Sequence, residues 1–111
     1  MTRSMIPKPP AHLSAESATL WRSVCRDYEM EAVDLERLRV ALEARDRAEE
    51  ARRIIARDGM VMYDDKGRPS KHPACLVERD ATATYMRALR ELDLQGEPAP
   101  QFRRPSIRVV R

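Results

Sequence analysis

Apolar positions in this chain recur at helical spacing in three stretches, separated by proline, glycine and short runs of turn formers. In the first, Trp21, Val24, Cys25 and Tyr28 lie three and four apart, which puts them on one face of a helix over about 15–28. Ser14 suits its N-cap and Leu13 is the apolar residue before the cap. Glu16 sits in the first turn, where the helix dipole favours an acid. Trp21 reads as a core anchor. Ahead of the cap, Pro7, Pro9 and Pro10 disfavour regular structure, so residues 1–12 are expected to form an extended arm.

A second helix is expected from an Asp34 cap to about Arg57, ended by Asp58-Gly59. Leu35, Leu38 and Leu42 make a bulky patch near its start, while Ala41, Ala44, Ala48, Ala51 and Ile55 make a stripe dominated by small side chains. Such a stripe lets another helix approach closely. Glu43–Arg47 and Glu49–Arg53 have the spacing of solvated ion pairs. Met60-Val61-Met62-Tyr63, the turn Asp64-Asp65-Lys66-Gly67 and a close near Pro69-Ser70 predict a two-stranded hairpin, with Pro69 at its edge or end. Pro73 opens a third helix whose Ala74, Val77, Ala81, Tyr85, Ala88 and Leu92 share one face. Gly96, Pro98, Pro100 and Pro105 stop it beyond Leu94. The expected fold is therefore mainly α: a short N-terminal helix plus a long antiparallel helical hairpin, with a small β-hairpin or turn-rich link between the long helices. The expected organisation is an arm over 1–12, a helical core over 13–94 and a basic flexible tail over 95–111.

Composition narrows the function more by exclusion than by indication. At 111 residues the chain holds one domain, small enough that oligomerisation would add usefully to its stability. Charged residues make up 35% of it but the net charge is only +3, so the placement of charge matters more than its sum. Arg103, Arg104, Arg108 and Arg111 follow Phe102 without an acid among them, and Arg3 and Lys8 precede the first acid, Glu16. Both ends are thus basic. Cys25 and Cys75 have no CxxC spacing and read as reduced, buried thiols. No apolar run reaches the length of a membrane span or a signal core, so a cytoplasmic protein with no membrane partner is expected.

The glycines are isolated, and Asp64, Asp65 and His72 match no zinc or calcium pattern. No catalytic residue, metal or cofactor is expected, and the chain does not read as an enzyme. The arginines of the tail suit contact with phosphates, and Lys66, Arg68 and Lys71 make the hairpin a second candidate, although a solvated turn is the plainer reading there. Ile107 to Val110 could instead form a strand on a partner's sheet edge. Leu76, Cys75 and Met86, left over on the far side of the third helix, are candidates for an oligomer interface.

Taken together, Pro10, His12-Leu13-Ser14, Leu20-Trp21, Asp34-Leu35 with Leu38, Gly59-Met60-Val61 and Lys71-His72-Pro73-Ala74 resemble the phage terminase small subunit over about 9–94. The resemblance implies a ring-forming homo-oligomer that binds double-stranded viral DNA at the packaging start site. It also implies a second partner, the large subunit, which holds the ATPase and nuclease. The matching positions are caps, core and turns, and bring no catalytic residue with them. The resemblance favours DNA contact by the basic tail, but the sequence departs from the family after Leu94, with Leu92-Asp93-Leu94-Gln95-Gly96-Glu97-Pro98 in place of Leu-Gly-Leu-Thr-Pro, so no residue role is carried over to the tail. The alternative is a helical-hairpin interaction module or regulator that binds a protein and no DNA.

Overall fold

A computed structural model describes residues 6–92 and, as backbone, 107–109. Helix α1 spans Ala15–Asp27, strand β1 Tyr28–Met30, helix α2 Ala32–Asp58, strands β2 Val61–Tyr63 and β3 Pro69–Lys71, helix α3 Pro73–Leu92, and strand β4 Ile107–Val109. The expected architecture is present: a short first helix, two long helices running antiparallel, and a small hairpin between them.

The helix ends follow from local chemistry. The Ser14 hydroxyl accepts the Ser17 N–H at 3.1 Å and so caps α1. Gly59, at φ 85°, ends α2 in a backbone region that costs other residues strain. Two boundaries differ from expectation. Tyr28 leaves the helix at φ −133° and ψ 146° and opens β1. Helix α2 starts at Ala32 with Glu31 as N-cap, so Asp34 is the third helical residue, not the cap. It still satisfies the helix start: its carboxylate accepts the Glu31 backbone N–H at 3.1 Å from a fully buried position, with the Arg37 guanidinium 3.7 Å away.

The C-terminal strand does not wait for a partner's sheet edge. It pairs antiparallel with β1 of its own chain, Tyr28 opposite Val109 and Met30 opposite Ile107. The pairing closes the α1–α2 junction with a segment remote in sequence.

The core is polarised along α2. At one end Leu13, Trp21, Cys25, Leu38, Leu42 and Leu92 form a bulky cluster, flanked by Leu35, Met30 and Tyr85. Burial there pushes the Cys25 thiol up to about 11, which keeps it protonated and inert at neutral pH. Toward the hairpin the two long helices meet through alanines: Ala41, Ala44, Ala48 and Ala51 of α2, with Ala74 and Ala81 of α3, are all buried. Val77 is not part of this seam and lies 46% exposed, because the α3 face turns through Glu78. Glu78 instead binds Arg52 across the seam at 3.1 Å. The expected ion pairs also re-sort: Glu43 pairs with Arg39 and His12, Arg52 with Glu49, and Arg53 with Glu50. Several of these join residues three apart on α2, which are neighbours on a helix surface just as residues four apart are.

Candidate functional site

Three constructions on this scaffold bring polar side chains together. The first fastens the N-terminal segment and α1 to the middle of α2. The Trp21 indole N–H donates to the Pro7 carbonyl at 2.8 Å, and His12 Nε2 meets Glu43 at 2.7 Å. Asp46 is its centre. One carboxylate oxygen accepts the Ser14 N–H at 2.9 Å, and the other accepts the Ser14 and Ser17 hydroxyls at 2.7 and 2.6 Å. Burial acts to raise the Asp46 carboxyl, but the bonds from Ser17 and Ser14, with Arg45 nearby, outweigh it and hold the group below its ordinary 3.8. Serines, a histidine and an aspartate therefore sit close together, yet the hydroxyls give their protons to a carboxylate and His12 is engaged by Glu43. A serine nucleophile needs a base aimed at its hydroxyl, so this arrangement is a clamp.

The second construction is the hinge from α2 into the hairpin and back into α3. The backbone N–H of Ala74 donates to His72 Nδ1 at 3.0 Å, making the imidazole the cap of α3. With Nδ1 accepting, Nε2 carries the hydrogen and donates to Asp58 at 3.0 Å. Arg57 and His72 together hold the Asp58 carboxyl well below the usual carboxylate range. The His72 backbone N–H donates to the Met60 carbonyl at 2.7 Å. One residue thus joins the end of α2, the hairpin and the start of α3. Replacing His72 with Ala should lower stability by about 1 kcal/mol, the usual worth of a cap. Asn at the same position, a good capping residue, should recover most of that in urea melts, whereas no recovery would assign the loss to the Asp58 bond.

The third is the hairpin itself, exposed along its whole length. Asp64 folds its turn: one oxygen accepts the Lys66 and Arg68 N–H groups at 2.9 and 2.8 Å, and the other accepts Arg68 Nε at 2.8 Å. Those bonds, the Arg68 backbone N–H first, hold its carboxyl below the usual value. Among the sequence candidates for DNA contact, Arg68 is therefore neutralised locally, while Lys66 and Lys71 form no ion pair among the described residues.

Arg108 lies in β4 opposite Glu29, and Arg103, Arg104 and Arg111 fall outside the described residues. The candidates for an oligomer interface are on α3, with Leu76 51% and Met86 49% exposed and Cys75 half-buried. A shallow, mostly apolar groove of about 310 Å³ also runs between the start of α2 and the end of α3, lined by Val33, Val40, Thr84 and Ala88 among others. Sequence reasoning missed Asp46 and the capping role of His72. The first left no local signal; for the second, a histidine directly before a helix-opening proline was the available cue.

Among the described residues no group of three or more His, Cys, Asp or Glu is placed to hold a metal ion, and no helix is long and apolar enough to cross a membrane. Fold and surfaces together define a small helical-hairpin protein built around clamps and caps. The chain belongs to the phage terminase small-subunit family, whose model matches residues 15–99, from the start of α1 past the end of α3. Curated proteins and solved structures give no match.

Proposed function

We propose that this chain is the DNA-recognising, non-enzymatic subunit of a phage packaging terminase, acting in the host cytoplasm. It assembles into a homo-oligomeric ring, binds double-stranded viral DNA at the packaging start site and regulates a separate large subunit that carries the ATPase and nuclease. The observation that carries this reading is the family match over 15–99. Charge placement is compatible with it: the α2 arginines 39, 52, 53 and 57 are each paired with acids, while the hairpin lysines carry no ion pair among the described residues and the C-terminal stretch is basic, so both suit phosphates.

Arg103→Gln with Arg104→Gln tests the tail and leaves β4 intact. If both side chains neutralise phosphates, the slope of log affinity against log salt should lose about 0.9 for each, roughly two in all. An unchanged slope would place DNA elsewhere, with Lys66 and Lys71 next to be replaced. Assembly is read separately. Met86→Asp should reduce the assembled mass in native mass spectrometry with helix content unchanged, and an unaltered mass would remove that face of α3 from the interface. A chain that assembles but shows no salt-dependent DNA binding would favour the protein-interaction module.

A further inference from the structure

The two open edges of the β2–β3 hairpin are built differently. Backbone hydrogen bonds join Met60 with His72 and Asp64 with Arg68. Bonded and non-bonded pairs alternate in an antiparallel ladder, so the register makes Met62–Ser70 the bonded pair between them. The backbone groups of Val61 and Tyr63 therefore point away from β3, along the outer edge of β2. Lys71 and Pro69 hold the matching places on the outer edge of β3. Proline has no N–H to offer there and lysine is a charge that discourages pairing, so the β3 edge is defended. The β2 edge is not. It carries no charge and no proline, and its side chains are exposed on both faces, Val61 at 47%, Met62 at 43% and Tyr63 at 69%. Met60, next to the strand in the chain, is exposed as well, at 64%.

We infer that β2 is a pairing edge for β2 of a second copy, related by a two-fold axis at Met62. In that register Val61 of each strand exchanges backbone bonds with Tyr63 of the other. The result is a four-stranded sheet whose only free edges are the two defended β3 strands. Each Tyr63 lies beside a Val61, an aromatic and β-branched pair that favours strand association. The paired residues, Val61–Tyr63, carry no charge, so two copies of the strand meet without like charges facing each other. Among the described strands, β4, Ile107–Val109, is already paired with β1 and does not compete for this edge. Such an isologous contact closes on itself, so it is distinct from the head-to-tail contact of a ring, and it does not rest on the DNA-packaging reading.

The test is disulfide trapping of the full chain in a Cys75→Ala background, where Cys25 remains buried and protonated. Across the two-fold axis the Met62 Cα atoms should lie about 4.5 Å apart, within disulfide reach. The Ser70 Cα atoms, on the same face but three strand spacings apart, should be separated by about 14 Å. Under mild oxidation Met62→Cys should give mostly covalent dimer and Ser70→Cys should remain monomeric. Adding Val61→Pro, which repeats on β2 the defence that Pro69 gives β3, should reduce the covalent dimer of Met62→Cys at least tenfold with the far-UV spectrum unchanged. Equal trapping by the two cysteine variants, or trapping indifferent to Val61→Pro, would overturn the inference. Met86→Asp separates this contact from the ring: trapping through Met62→Cys should persist when the larger assembly is lost, and its disappearance with that assembly would also refute a separate two-fold contact.

Discussion

Replacing Ala48 with Leu is expected to cost about 1–3 kcal/mol, although both residues are good helix formers. Ala48 is 2% exposed in a seam where Ala41 and Ala44 are fully buried and the facing α3 residues include Ala74 and Ala81. Methyl groups on both sides allow the two axes to run close together, and an isobutyl group has nowhere to go unless the helices separate. Separation would also stretch the Arg52–Glu78 pair and the Asp58–His72 bond, which cross the same seam. For a domain of this size the melting temperature should fall by roughly 4–8 °C per kcal/mol. Ala56→Leu, on the exposed side of the same helix, is the control and should change stability by less than about 0.5 kcal/mol. Equal effects at the two positions would show that the seam is not close-packed.

The second large effect is expected at Asp46. Its replacement by Ala removes three hydrogen bonds and leaves the Ser17 hydroxyl, a residue with no exposure, facing an apolar methyl. Losing charge-assisted bonds and leaving the buried Ser17 O–H without an acceptor, its oxygen still bound by Arg45, should together cost about 2–3 kcal/mol. The effect should depend on pH in a defined direction. The Asp46 carboxyl is held below 3.8 in the folded state, so on acidification the unfolded chain takes up the proton first. The stabilisation is therefore complete above the unfolded value and drains away as pH falls below about 4 and through the folded one. Urea melts at pH 7 and pH 3 should show the gap between wild type and Asp46→Ala narrowing at the lower pH. A gap of equal size at both would assign the loss to packing.

What can be read in the sequence is written in neighbouring residues. Ser14 three positions before Ser17, Gly59 after a long periodic run and Pro73 before another each mark a helix end by chemistry that acts within one turn. The small-residue stripe on α2 is equally legible, because periodicity places Ala41, Ala44, Ala48 and Ala51 together whatever lies opposite. The β1–β4 pair is not, since three-residue strands carry almost no pattern and the two partners lie far apart in the chain. Asp34 differs from its expected place because an aspartate suits the cap and the third helical position alike, and only the path of the chain decides between them. Val77 falls a single helical step outside the seam, and at the next position Glu78 pairs with Arg52 instead. The site shows the same division. Lys66, Arg68 and Lys71 can be named from their positions, but that Asp64 already occupies Arg68 depends on the fold of the turn.

The way both ends of the described chain return to the bulky end of α2 has a practical consequence. Pro7 is tied to Trp21, and β4 is tied to β1, whereas the hairpin projects from the opposite end of a helix about 40 Å long. A dye, tag or surface tether joined at either terminus would leave the tip clear. The molecule could thus be held by one end with its hairpin offered outward like a probe on a stalk.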